Sequence, residues 1–150
     1  MTSDDPIDPA SPHRRVLARC SLVPPDGPDG LRQARAWMRR TVHRLVPGAG
    51  LSWICDVVMV LDELVSNALL HGRGCRGVLV TLDDWCLVVQ VTDATTTPAR
   101  LLDTATRAVS GLRLIERAST RWGQSATAGG KTVWAEVPRP RTAVPVARPI

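Results

Sequence analysis

The chain contains no phenylalanine, no tyrosine and only one lysine, Lys131. With two of the three large aromatic residue types absent, a hydrophobic core has to be built from leucine, valine and the five tryptophans. The 150 residues are 44% hydrophobic, which is enough for one domain with a single core. Eighteen of the nineteen basic residues are arginine, and fourteen acidic residues leave a net charge of +5. This one-sided use of arginine is typical of a GC-rich coding background, so the charge alone does not predict a nucleic-acid ligand.

Signatures of secreted, zinc-binding and membrane proteins are also missing. The four cysteines, Cys20, Cys55, Cys75 and Cys86, form no CxxC pair and have no histidine nearby at zinc-ligand spacing. They predict buried thiols in a reducing compartment. No apolar run approaches the ~18 residues of a membrane span, and the N-terminus has no signal-peptide pattern. We therefore expect a soluble cytoplasmic protein that does not associate with a membrane.

Proline and charge divide the chain into three parts. Residues 1–13 are acidic and rich in proline, and residues 139–150 are rich in proline and arginine. Both compositions predict disordered tails, because they offer little apolar surface to bury. The folded domain is therefore expected over residues 14–138.

Within that domain, hydrophobic periodicity predicts helices and strands that build an α+β fold with helices on one side of a sheet. The predicted elements are a strand over 16–23, a helix over 29–46, a helix ending at Gly72, a hairpin of 78–82 with 86–91, and a hairpin of 122–126 with 132–137. The stretch 94–110 is expected to be a loop with one helical turn around 101–109. Gly111 is expected to open a further helix over 112–120.

The helix that ends at Gly72 has the most informative pattern. Glu63, Asn67 and His71 follow one another at intervals of four residues, so on an α-helix each lies about 40° round from the last and the three form one polar stripe. The stripe extends back to Asp56 without any lysine or arginine, and apolar residues at helical spacing occupy the other side. A carboxylate beside a neutral amide suits Mg²⁺, which prefers oxygen ligands. The alternative is an ordinary solvated helix face.

Four motifs in order carry a resemblance to a known family. They are E-L-x-x-N-A-x-x-H-G on a helix, an aspartate at a strand end, a helix opened by Gly-Leu, and a closing Gly-Gly-Lys-Thr-Val-Trp hairpin. Together, over residues 16–138, they resemble the GHKL ATPase fold of gyrase, MutL and sensor histidine kinases. The small size and the arginine-rich style are similar to the anti-sigma-factor serine/threonine kinases of Gram-positive bacteria. The resemblance implies a two-layer α/β sandwich of the Bergerat type, with a mixed, mainly antiparallel sheet covered by helices.

The resemblance also implies a role for particular residues, with ATP and Mg²⁺ as cofactors. Glu63 would be the catalytic general base or water-positioning residue, and Asn67 would be the ligand of the Mg²⁺ that bridges the triphosphate. Asp93 would accept a hydrogen bond from the adenine amino group, and Thr132 would lie near the same base. His71 is expected to have a packing role.

The Gly-Leu pair is implied to contact the nucleotide phosphates. Gly111 would place a helix N-terminus against phosphate, with Leu112 beside it. The unsatisfied N–H groups and positive dipole at such a helix end favour an anion.

Three functions remain open. The first, implied by the resemblance, is an ATP-dependent protein serine/threonine kinase. It would phosphorylate a serine of an anti-anti-sigma-type antagonist and sequester a sigma factor. Family members often form dimers, which makes a homodimer a further candidate. The second is a partner-binding module that does not turn over ATP. It is favoured because glycines of the family's motifs are missing here. Residues 93–98 read Asp-Ala-Thr-Thr-Thr-Pro where the family has D-x-G-x-G, and residues 108–111 keep only the last glycine of the next motif. The third is a nucleic-acid-binding domain that uses a basic helix, but no recognition motif accompanies that helix. Its arginines are Arg32, Arg35, Arg39, Arg40 and Arg44.

Overall fold

The computed structural model describes residues 14–71, 73–96 and 107–140, and within 107–112 it describes the backbone alone. The tail predicted over 1–13, most of the tail predicted over 139–150 and the helical turn predicted around 101–109 lie largely outside these residues. Eight elements follow in order. They are β1 (Val16–Leu22), α1 (Pro28–Leu45), α2 (Leu51–His71), β2 (Cys75–Asp83), β3 (Cys86–Asp93), α3 (Arg107–Ala118), β4 (Arg121–Thr127) and β5 (Gly130–Pro138).

The predicted first strand, first two helices and two hairpins are confirmed, but the prediction for the start of α3 is wrong. The helix begins at Arg107 rather than at Gly111. Arginine and alanine at 107 and 108 favour a helix, and a glycine inside a helix costs only about 1 kcal/mol relative to alanine. Gly111 therefore lies in the second turn and does not provide the helix N-terminus that was expected there.

The five strands form one sheet in the order β1-β2-β3-β5-β4. All four pairings between these described strands are antiparallel, where a mixed, mainly antiparallel sheet was expected. The hairpin β2–β3 occupies the centre, and β5 returns beside β3, so the last strand of the chain pairs with the strand that ends at Asp93. The predicted two-layer α+β architecture is confirmed.

The core lies between the sheet and the helices. Alternate residues of the three central strands are buried there against α2, which is apolar on most of its circumference. They include Val78, Val80, Leu82, Leu87, Val89, Val91, Val133, Ala135 and Val137. Trp53 of α2 is also buried, and its indole Nε1 donates a hydrogen bond to the Pro138 carbonyl oxygen at 2.8 Å. No helix in the described part of the chain has both the length and the apolar character needed to cross a membrane.

The other face of the sheet carries a buried ion-pair cluster that the sequence pattern did not predict. Glu136 is 1% exposed and accepts two hydrogen bonds from the Arg14 guanidinium, at 2.7 and 3.0 Å. Arg121 also donates to it, at 2.9 and 3.3 Å, and stacks over the Trp134 ring 5.5 Å from its centroid. Burial alone would raise the pKa of Glu136, but the two arginines outweigh burial and the pKa is lowered.

Candidate nucleotide-binding site

Helix α2 presents the predicted polar stripe. Glu63 and Asn67 are half-buried one helical turn apart, and His71 is the exposed last residue of the helix. Their neighbours Leu64 and Ala68 are buried in the core. Among the residues that the structure describes, neither the Glu63 carboxylate nor the Asn67 amide has a hydrogen-bond partner. Both side chains therefore have unused hydrogen-bonding capacity close to the packed core.

Two adjacent carboxylates at the start of this stripe differ in their surroundings. Asp62 forms an ion pair with Arg35 of α1, which is one of the arginines of the predicted basic helix. Burial raises the pKa of Glu63, and the negative charge of Asp62 raises it further. A carboxylate whose pKa is raised holds protons more tightly, as a general base that works near neutral pH requires.

The chain connectivity brings the end of α2 to one end of the sheet. The Gly74 N–H donates to the Ala68 carbonyl oxygen at 3.2 Å, which closes the helix, and Gly74 has a φ of 102° that suits glycine. Cys75 follows directly and opens β2. Cys75 pairs with Asp93 in β3, and Asp93 pairs with Lys131 in β5. Asn67, next to Ala68 in the helix, therefore lies near the end of the sheet at which Asp93 is found.

Asp93 is buried, and each of its carboxylate oxygens has a donor. The residue is 2% exposed, its Oδ1 accepts a hydrogen bond from the Thr95 backbone N–H at 3.0 Å, and its Oδ2 accepts one from Lys131 Nζ at 2.6 Å. Gly130 makes this arrangement sterically possible, because a Cβ there would lie 2.0 Å from the Asp93 carbonyl oxygen. The strand end that was expected to bind adenine thus holds an internal ion pair.

Thr132 does not share a side of the sheet with Asp93. Successive side chains of a strand point to opposite faces, so Lys131 lies on the helix side and Thr132 on the outer side. There the Thr132 hydroxyl lies 2.9 Å from the Thr92 hydroxyl. Thr132 is adjacent to buried Val133 and therefore points to the opposite face, which could have indicated this from the sequence.

Lys131 is the residue near this site that sequence reasoning missed. The interpretation of the Gly-Gly-Lys-Thr motif assigned a role to its threonine and none to its lysine. A signal was present, because Lys131 is the single lysine among nineteen basic residues. At every other basic position the chain has arginine, and only here does it have lysine.

The two side chains expected to contact an ATP·Mg²⁺ ligand differ in this structure. The Asn67 amide oxygen is a suitable hard ligand, and it has no partner in the described part of the chain. In the same residues, no three histidine, cysteine, aspartate or glutamate side chains converge on a metal position. Asp93, the residue expected to bind the adenine base, has a carboxylate that could accept a hydrogen bond from an amino group, but the Lys131 ammonium group already donates to it.

Comparisons with known proteins identify the fold. No protein-family model and no curated protein matches the sequence. Among solved structures, the RsbU and RsbW domains of Rv1364c from Mycobacterium tuberculosis match with a TM-score of 0.62 and 23% identity, over 83% of this chain and 33% of that chain. The chain therefore spans about one third of the Rv1364c chain that it matches. The SiaB–SiaC complex from Pseudomonas aeruginosa matches with a TM-score of 0.59 and 18% identity, over 82% of this chain and 90% of that chain.

These neighbours show that the chain shares its fold with part of the Rv1364c chain and with a chain of the SiaB–SiaC complex. The fold inferred from the four motifs is thereby confirmed. At these identities the likeness concerns the fold alone, so the chemistry has to be argued from the residues of this chain.

Proposed function

We propose that the chain is an ATP-binding regulator that phosphorylates a serine or threonine of a partner protein. The observation that carries this proposal is the Glu63 and Asn67 pair. A half-buried carboxylate with a raised pKa and a half-buried amide lie one turn apart, and both lack partners within the described residues. A carboxylate on an ordinary solvated helix face would not be buried enough for its pKa to be raised, as the pKa of Glu63 is.

Each residue has a distinct task in this proposal. Glu63 accepts the proton of the attacking hydroxyl group, and Asn67 holds Mg²⁺ through its amide oxygen. When bound, Mg²⁺ neutralises negative charge on the phosphates as the phosphoryl group is transferred. Asp93 is the acceptor for the amino group of adenine, once that carboxylate is free.

The partners proposed are a sigma factor and an anti-anti-sigma-type protein, with a second copy of this chain as a further candidate. SiaB is found in complex with SiaC, and the RsbW domain occurs in one chain with an RsbU domain. These associations support the idea that this fold works in contact with other proteins.

The test is transfer of labelled γ-phosphate to co-purified partner proteins. Glu63→Gln keeps the shape of the side chain and deletes its charge, so ATP should still bind while transfer falls by the ~10²–10⁴-fold typical of a lost general base. Glu116→Gln is the matched control, because Glu116 is exposed on α3 and should leave transfer unchanged. Equal transfer by the wild type and Glu63→Gln would exclude Glu63 as the base.

A module that sequesters a partner without turnover is the second candidate. The buried Asp93–Lys131 ion pair favours it, because that pair occupies the carboxylate that nucleotide recognition would need. If the wild type binds a partner and ATP but transfers no phosphate, this second function is the better description.

A further inference from the structure

The only lysine of the chain is buried. Lys131 is 6% exposed, and its ammonium group lies 2.6 Å from Asp93 Oδ2. Asp93 is also buried, with 2% of its surface exposed. A buried ammonium is strongly unfavourable unless a charge and hydrogen bonds compensate it. The position of Lys131 is therefore tied to the Asp93 carboxylate.

Asp93 has no oxygen without a donor. Thr95 N–H occupies Oδ1 and Lys131 Nζ occupies Oδ2, and the second contact joins two charged groups. Hydrogen bonds between charged groups are roughly twice as strong as those between neutral groups. The neutral amino group of a base would therefore compete at a disadvantage for Oδ2.

Lys131 lies next to an exposed part of the chain. It is the second residue of β5, directly after the β4–β5 turn, and residues 124–129 leading into that strand are exposed. A lysine has a flexible four-carbon stem that can place its ammonium group in water while the stem stays against apolar surface. We therefore expect the pair to open by a change of side-chain rotamer.

We propose that Lys131 is an internal competitor of the nucleotide base for Asp93. An adenine nucleotide binds only when the ammonium group has left Oδ2, so the ion pair sets the nucleotide affinity of the site. The measured affinity is then reduced by the fraction of molecules in which the pair is open. This inference rests on the proposed function, since it assumes that Asp93 receives the base.

The first test compares ATP·Mg²⁺ binding by calorimetry for the wild type, Lys131→Met and Arg121→Met. We expect Lys131→Met to bind ATP at least about tenfold tighter, because the competitor is gone. Simple Coulomb attraction predicts the opposite, since this change removes a positive charge from a site for a polyanion. Arg121→Met removes a cation on the outer face of the sheet and should bind ATP as the wild type does.

GTP distinguishes competition for the base from a general opening of the site. Guanine carries an oxygen where adenine carries the amino group, so removal of Lys131 should give GTP no comparable gain. An equal gain for both nucleotides, or none for ATP, would overturn the proposal.

The second test uses the wild-type protein, in case Lys131→Met does not fold. Lys131 and the amino terminus are the only primary amines, so an amine-acylating reagent followed by peptide mass spectrometry reports on Lys131 individually. We expect slow acylation in the free protein and acylation several times faster with saturating ATP·Mg²⁺. An unchanged or slower rate while ATP is bound would mean that Lys131 is not displaced.

The two proposals fail in different ways. If the wild type binds ATP and neither Lys131→Met nor the acylation rate behaves as expected, only the competition is wrong. If neither the wild type nor Lys131→Met binds ATP, the nucleotide site itself is wrong and the competition is wrong with it.

Discussion

Asp62 and Glu63 are neighbours on α2 with opposite electrostatic situations: Asp62 is paired with Arg35, and Glu63 has a raised pKa and no ion-pair partner in the described chain. Helical geometry causes this difference, because consecutive residues lie about 100° apart round the axis. Asp62 reaches α1, and Glu63 belongs to the stripe with Asn67. The pKa of Glu63 therefore depends on the charge of Asp62, which in turn is paired with Arg35.

That dependence predicts two variants with opposite effects. Asp62→Asn removes the negative charge beside Glu63 and should lower the Glu63 pKa, whereas Arg35→Gln leaves Asp62 without its cation and should raise it. Carbon-13 labelling of glutamate side chains allows a direct NMR titration, since Glu63, Glu116 and Glu136 are the only glutamates. If Glu63 is the base, the acidic limb of the transfer rate should move in the same direction. Shifts of the same sign in both variants would contradict this.

The magnesium role predicts a specific loss in Asn67→Ala. The change should abolish the Mg²⁺-dependent part of ATP binding, so that affinities measured with and without Mg²⁺ become equal. The fold should remain, because the amide has no partner in the described residues and substitutions of such side chains usually change stability by no more than about 0.5 kcal/mol. Gln33→Ala removes an exposed amide from α1 and is the control. An unfolded Asn67→Ala protein would make Asn67 a structural residue.

The Asp93–Lys131 pair predicts strong coupling in a double-mutant cycle. Asp93→Asn and Lys131→Met each leave one buried charge uncompensated, which costs about 3–5 kcal/mol of the free energy of unfolding. The double variant leaves neither charge, so it should lose clearly less than the sum of the two. Urea denaturation measures all four proteins. Additivity within about 0.5 kcal/mol would show that the two side chains do not interact in solution.

The local elements could be predicted from the sequence because their signals are local. The alternation in β2 and β3 and the stripe on α2 each depend on residues a few positions apart, and all three elements are found as expected. The start of α3 could not be located, because residues 107–110 carry neither a clear cap nor a strong breaker.

The internal pairings of the candidate site could not be predicted, because they join distant parts of the chain. Asp93 and Lys131 are 38 residues apart, and Arg14 and Glu136 are 122 apart. Their contacts depend on which strands pair and in what register, and periodicity within one strand carries no information on its partner. The burial of Glu136 follows from the same pairing of β5 between β3 and β4.

The close approach of β5 to Asp93 predicts a large effect of Gly130→Ala. The new Cβ would lie 2.0 Å from the Asp93 carbonyl oxygen, which is backbone and cannot move without distorting the sheet. We expect a loss of about 1–3 kcal/mol, as for other overpacked positions. Gly77→Ala in β2 is the control, because a Cβ there meets nothing within 4 Å. Equal stability of the two variants in urea would mean that β5 does not approach Asp93 this closely.

The Glu136 cluster predicts how stability depends on acid. Arg14 and Arg121 hold the pKa of Glu136 below its ordinary value of 4.5 in the folded protein. A lowered pKa means that the folded state binds the proton less well than the unfolded state does. The stabilisation is therefore complete above pH ~4.5 and is lost as the pH falls from there through the lowered pKa.

Glu136→Gln should therefore be less stable than the wild type at pH 7, and the difference should shrink as the pH falls below ~4.5. The size of the effect is moderated by solvent, because the Arg121 side chain is 53% exposed. Urea midpoints measured from pH 3 to pH 7 provide the test, with exposed Glu116→Gln as the control that keeps the wild-type slope. A Glu136→Gln protein with the full acid dependence of the wild type would show that the buried carboxylate is not what the arginines stabilise.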